Sequence, residues 1–143
     1  MEKLLEIYNQ VNQFGNENGM ELTIVKPGEI IYKMEVLPKH LATPQTIHGG
    51  MIAAMMDGVL GVAGLSTVAQ EHKLVSTVEF KISYFNPALI GDILTGKGTV
   101  DKKGNRIIYT SGEIYNQKNE IIAKAMGTLN AYPIEKSDVA KYL

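Results

Sequence analysis

The stretch from Gly49 to Val68 constrains the fold more than any other part of the chain. It is 20 residues of almost unbroken apolar sequence, and between His48 and Glu71 only Asp57 carries a charge. The run is too long for a strand and is rich in Ala and Met, which favours helix. It has no polar stripe, and a helix apolar all round is normally buried on all sides. Its length would also span a bilayer. Against that reading, it holds several glycines and no close cationic flank, and an Asp in mid-bilayer costs roughly 2.5–3.5 kcal/mol. The expectation is a helix enclosed by the rest of a globular domain.

The remaining sequence supplies the enclosure. Leu4, Leu5, Tyr8, Val11 and Phe14 recur at helical spacing, which predicts an amphipathic helix over 2–14, ended by Gly15 and the Asn-rich stretch to Gly19. Leu22 to Val25 and Ile30 to Val36 flank Pro27-Gly28 and read as two strands about a tight turn. Leu37 to Ile47 reads as a loop. After residue 73 everything reads as strand. Val78, Phe80, Ile82 and Tyr84 alternate with Thr77, Glu79, Lys81 and Ser83. A strand from Ile93 to Val100 meets the turn Asp101 to Asn105, a hairpin signal. The next strand runs from Arg106 to Tyr115, turns at Asn116 to Asn119 and returns from Glu120 to Ala131. The end, from Pro133, is polar and reads as loose. The pattern is that of a single α+β domain over residues 1–143. An antiparallel sheet of about six strands wraps round one central helix, with an extra N-terminal helix.

Composition narrows the chemistry. A chain of 143 residues, 45% hydrophobic and 20% charged, is ordinary globular material for one domain. A net charge of -1 gives no electrostatic reason to expect nucleic acid or an anionic membrane as partner. The absence of cysteine removes disulfides, thiolate metal sites and a cysteine nucleophile, and fits a reducing cytoplasm. The first residues lack the apolar core of a signal peptide. His40, His48 and His72 form no metal pattern, and no Gly-x-Ser-x-Gly elbow occurs. No cofactor is called for. A domain this small has little room for both a core and a large cavity, so a site where subunits meet is expected.

Asp57 is then the residue to explain. A carboxylate in apolar surroundings must be paired, hydrogen-bonded or neutralised. Three and four residues away stand Ala53, Ala54, Leu60 and Gly61, none of which pairs with it. One reading is a structural Asp satisfied by a backbone group or a neighbouring strand. The other is a carboxylate facing a cleft, kept basic by partial burial. His48-Gly49-Gly50 opens the same helix. Free amides at a helix start, with glycines that allow close approach, suit an oxyanion hole. A plain loop-to-helix turn is the alternative. Gly49 and Asp57 are eight residues apart, roughly 12 Å along a helix at about 1.5 Å per residue. One carbonyl cannot readily touch both, so a two-fold homodimer with facing helices is expected to bring them together. Gly58, Gly61 and Gly64 keep the helix slim for a sheet or a partner helix.

His48-Gly49-Gly50-Met51-Ile52-Ala53-Ala54-Met55-Met56-Asp57 resembles the His-Gly-Gly-x6-Asp signature of hot-dog-fold thioesterases of the phenylacetate-pathway (PaaI-like) type. Thr77 to Ala88 looks like that family's strand and closing Pro-Ala. Gly91-Asp92 and Gly127-Thr128 also fall where the family has similar residues. The resemblance covers roughly residues 20–131. It implies a hot-dog fold whose dimers share a continuous sheet and often pair into tetramers, acting on an acyl-CoA thioester. In it, the Gly49 amide polarises the thioester carbonyl, with Gly50 beside it. Asp57 of a second subunit is general base or nucleophile. His48 orients the turn or contacts the thioester, and Thr77 stands near the carboxylate. Many relatives have Asn or Gln six residues before the His, where this chain has Ala42; Gln45 offers an amide in a different register. Lys102, Lys103 and Arg106 read either as partners for CoA phosphates or as a solvated hairpin turn. The related hydratases need a His five residues after the Asp, where Val62 stands, and the carrier-protein dehydratases need a His-Phe-Pro loop that is missing. The departure at Ala42 keeps a non-catalytic acyl-CoA-binding or sensing protein as the alternative. Met51, Met55, Leu60 and Tyr84 are expected to set pocket width.

Overall fold

The computed structural model describes residues 3–142. The chain order is α1 (Lys3–Val11), α2 (Gln13–Glu17), β1 (Glu21–Lys26), β2 (Glu29–Glu35), α3 (Gly49–Val68), β3 (Lys73–Tyr84), β4 (Ile93–Lys103), β5 (Ile107–Tyr115) and β6 (Ile121–Pro133). Six strands form one sheet in the order β1-β2-β4-β5-β6-β3, and each neighbouring pair is antiparallel. The sheet wraps α3. The core joins Met55, Met56, Val59 and Leu60 of the helix to Ile30, Tyr32, Leu94, Ile114 and Ile122 of the strands. α3 has the length and apolarity of a membrane span, but most of it is buried against this sheet.

The sheet accommodates the helix through small residues. Ile30, Gly98, Gly112, Ala125 and Ile82 are successive cross-strand partners. A Cβ built on Gly98 would stand 2.5 Å from the Val59 carbonyl oxygen, and one on Gly112 would stand 2.7 Å from Met56 Sδ. Glycine here permits a close approach of backbones that a side chain would prevent.

Several boundaries differ from expectation. The N-terminal helix breaks at Asn12, whose side chain accepts the Gly15 amide and starts α2 afresh. Glu2, its expected first residue, lies outside the described residues. β4 runs on to Lys103 because a bulge at Asp101 absorbs one residue, so the tight turn falls at Gly104, whose amide bonds to the Ile107 carbonyl. The end of the chain is not loose. Ile134–Lys136 and Asp138–Tyr142 form 3-10 turns, and Ile134 joins Leu4, Leu5, Leu65, Ala69 and Leu74 in a second apolar cluster.

Candidate active site

Asp57 leaves α3 on its one open face. Met56, Val59 and Leu60 are fully buried, whereas Asp57 is exposed and Ala53, Ala54, Gly58 and Gly61 are only half-buried. The partial burial expected of the carboxylate is therefore absent within one chain, because its apolar neighbours turn inward and leave it on the uncovered side. The Thr77 hydroxyl donates to Asp57 Oδ1 at 2.7 Å. The carboxylate has no second hydrogen-bond partner among the described residues. A neighbouring strand thus satisfies one oxygen and leaves the other available.

At the helix start, His48 is the N-cap. Its Nδ1 accepts the Gly50 amide at 2.7 Å, which consumes one of the amides orphaned at a helix N-terminus. The Gly49 amide has no partner among the described residues. The two glycines are therefore unequal, and Gly49 offers the free N–H. Its carbonyl accepts the Tyr84 hydroxyl at 2.9 Å, which ties the turn to the end of β3. The His48 amide in turn bonds to the His40 carbonyl at 2.8 Å.

Asp57 and Gly49 open into different cavities. Asp57 and Thr77 line one of about 370 Å³ with Tyr8, Gly61, Val62 and Tyr132. Gly49 and Tyr84 line one of about 320 Å³ with Ile52, Pro87 and Ile122. A hollow of about 430 Å³ lies on the opposite face of the sheet, among Lys81, Ser111 and Met126, and meets neither group. Of the residues expected to set pocket width, Tyr84 lines the Gly49 cavity, but Met55 and Leu60 are wholly enclosed in the core. Tyr8 and Tyr132 were not expected there. The only sequence signal for Tyr8 is a polar tip on an otherwise apolar helix face. Burial, and then the nearby Asp57 charge, raise the Tyr8 phenol above its ordinary value, so it stays a proton donor at neutral pH.

The expected binding residues are not gathered here. Gln45 is exposed in the loop before α3, where its carbonyl accepts the Ile90 amide. Lys103 reaches the other end of α3, bonding the Thr67 carbonyl at 3.0 Å and pairing with Glu71. Lys102 and Arg106 are exposed on the same hairpin, outside both cavities. Among the described residues no three His, Asp or Glu side chains cluster as metal ligands.

Known proteins of similar sequence and fold are thioesterases and their relatives. The human acyl-coenzyme A thioesterase 13 is 29% identical over 111 residues, covering 76% of this chain and 78% of that one. The structure of the Escherichia coli PaaI protein from the phenylacetic acid degradation operon superposes with a TM-score of 0.81 at 19% identity, over 91% of each chain. A hypothetical thioesterase protein from Streptococcus pneumoniae, solved with coenzyme A, superposes with a TM-score of 0.70 at 21% identity, over 80% of this chain and 86% of that one. These structures bear out the hot-dog fold. The thioesterase superfamily model matches residues 44–123, a segment that carries His48, Gly49, Asp57, Thr77 and Tyr84 together. By that match over more than half its length, the chain belongs to the thioesterase superfamily.

Proposed function

We propose that the protein hydrolyses acyl-CoA thioesters to the free acid and CoA in a site shared between two subunits. The observation that carries this reading is the separation of a free amide, Gly49 N–H, and a half-satisfied carboxylate, Asp57, into two cavities of one chain. Neither is a complete site for acyl transfer. A two-fold axis beside the open face of α3 would place the Gly49 turn of each copy opposite Asp57 of the other. The uncapped edge of β3 favours the same pairing, since edge strands offer unpaired backbone groups. Further pairing of such dimers into a tetramer belongs to the same proposal.

In this site the Gly49 amide donates to the thioester oxygen as charge develops on it. Asp57 takes a proton from water as the water oxygen bonds to the carbonyl carbon; the C–S bond then breaks and the proton passes to the departing thiolate. In the alternative route the carboxylate attacks the carbon itself and the C–S bond breaks, giving an anhydride and the CoA thiolate; water then opens the anhydride to the free acid and the Asp57 carboxylate, and the proton it gives up goes to the thiolate. His48 holds the turn by accepting the Gly50 amide, so that N–H is spent within the turn and is not offered to the thioester. Thr77 fixes the carboxylate. The human relative's name and the coenzyme A in the Streptococcus pneumoniae structure support CoA as the thiol. The site residues lie away from Lys102, Lys103 and Arg106, so those side chains have no assigned part.

A second reading, acyl-CoA binding without turnover, rests on Ala42, which leaves the position six residues before His48 without an amide side chain. Free-thiol release from a panel of acyl-CoAs separates the two. The wild type is expected to release thiol, and Asp57→Asn to lower the rate by about 10²–10⁴-fold, the usual contribution of a general base. Binding without thiol release from any substrate would select the second reading. An Asp57→Asn rate equal to wild type would remove Asp57 from the chemistry.

A further inference from the structure

A chain of hydrogen bonds leads from the N-terminal segment to the turn that offers the Gly49 amide. Asn18 caps the end of α2. Its Nδ2 donates to the Phe14 carbonyl at 2.8 Å, which leaves Oδ1 to accept from His40 Nε2 at 2.9 Å. His40 Nδ1 accepts the Leu37 amide, so the buried ring is held at both nitrogens. The His40 carbonyl in turn accepts the His48 amide at 2.8 Å. That bond closes a small loop in which Leu41 bridges Ile47 and the Ala42 amide bonds the Thr46 carbonyl. His48 is thus gripped through its own amide as well as through Nδ1, and its ψ sets the direction of the Gly49 N–H that follows. Asn18 and His40 both lie outside the segment 44–123 that matches the superfamily.

We infer that His40 is a positioning residue: its neutral ring, bridging Asn18 and Leu37, holds the His48 turn so that the Gly49 amide meets the thioester oxygen. The inference rests on the proposed thioester hydrolysis. It makes the turn sensitive to pH. The neutral ring with hydrogen on Nε2 satisfies both partners, whereas a protonated ring sets an Nδ1–H against the Leu37 N–H, donor against donor. The 3-10 turn Pro38–His40 then loses that bond, and the His40 carbonyl moves with the turn. Lys39, on the same turn and bonded to the Glu17 carbonyl, is the charged side chain whose field reaches the ring. α2 presents Asn18 to it, and the start of α3 presents the His48 amide. The ring bonds to no carboxylate among the described residues. An oxyanion donor acts as charge develops, so a loosened turn lowers kcat and leaves KM nearly unchanged.

The test is kcat and KM for thiol release from pH 7.5 to 5.0 in the full chain and in His40→Leu, His40→Gln and Asn18→Asp, at pH values where circular dichroism shows each protein folded. His40→Leu should lower kcat about tenfold at pH 7.5, part of the roughly 10²–10³-fold that loss of an oxyanion donor costs, with KM little changed. His40→Gln, which can still donate to Asn18 and accept from Leu37, should restore most of the rate and flatten its fall below about pH 6.5. Asn18→Asp sets a carboxylate beside Nε2, favours the protonated ring and should move that fall up by about one pH unit. Protonation of His48 and of Asp57 is common to all four proteins and cancels in the comparison. If His40→Leu does not fold, Asn18→Asp decides alone. Wild-type and Asn18→Asp profiles that coincide, or a His40→Leu loss confined to KM, overturn the positioning role while thioester hydrolysis stands. If no acyl-CoA releases thiol, the hydrolysis falls, and the His48 and Gly50 amide resonances followed over the same pH range decide whether His40 holds the turn. A step moved upward in Asn18→Asp and absent in His40→Gln supports that hold, and coincident titrations overturn it.

Discussion

Thr77 and Tyr84 stand seven residues apart on β3, yet both hydroxyls reach α3, one at Asp57 and the other at the Gly49 carbonyl. An odd separation in a regular strand puts side chains on opposite faces. The bulge at Val78 resolves this. Thr77 pairs with Leu129 and Glu79 with Thr128, so Val78 has no cross-strand partner and the phase shifts by one. Val75 and Thr77 face the helix before the bulge, and Phe80, Ile82 and Tyr84 face it afterwards. One strand thereby positions both ends of the candidate site.

The Thr77 bond can be tested as positioning rather than chemistry. Thr77→Val should lower kcat by about tenfold, since a hydrogen bond to a charged group contributes about 1.5–3 kcal/mol. Thr77→Ser should restore most of it, with KM little changed in both. A Thr77→Ser variant no better than Thr77→Val would show that the methyl packing, not the hydroxyl, matters.

Gly49→Pro isolates the amide. His48 is the N-cap in extended conformation, φ -71° and ψ 132°, which a following proline tolerates, and Pro suits the first helical position. A Cβ there meets only Tyr84 at ordinary contact, 3.7 Å. The variant should keep its melting temperature and lose about 10²–10³-fold in kcat, the effect of one oxyanion donor. Loss of fold rather than rate would speak against the assignment. Mixed and reassembled with Asp57→Asn, it should regain activity through hybrid dimers holding one intact site. Confirmed hybrids with no activity would rule out a site shared between subunits.

His40 links pH to stability. It is 3% exposed; its Nδ1 accepts the Leu37 amide at 3.0 Å and its Nε2 bonds Asn18 Oδ1 at 2.9 Å. Those partners require the neutral ring with hydrogen on Nε2. Burial first, and then the Lys39 charge, hold its pKa below the ordinary value of about 6.5. The unfolded chain then binds the proton more readily than the fold does, so stability is fully present above about pH 6.5 and is lost as pH falls through the window beneath. Urea midpoints measured at pH 7.5 and 5.5 should fall further for wild type than for His40→Gln. Parallel falls would remove His40 from the acid response.

Gly98→Ala tests how the sheet receives the helix. The new Cβ would meet the Val59 backbone oxygen at 2.5 Å, which no rotamer change relieves. The expected loss is about 1–3 kcal/mol, read from denaturant midpoints. Gly61→Ala, where a Cβ meets nothing within 4 Å, is the control for helix propensity and should raise monomer stability.

The sequence by itself determined the inventory of this protein. An apolar run too long for a strand became α3, alternation and turn residues marked the six strands, and one charge in an apolar helix marked Asp57. These features are local, and local periodicity reports them. Tertiary structure alone decided where β3 lies. The strand next in sequence is β4, yet β3 pairs with β6 at the sheet edge. It alone decided that the Gly50 amide is taken by His48 and the Gly49 amide is not. It brought Tyr8, from one end of the chain, and Val139, from the other, to the cavity of Asp57. Composition and spacing carry no record of contacts between residues far apart in sequence, because those contacts arise only when the sheet closes over the helix and the two ends bury their apolar faces together.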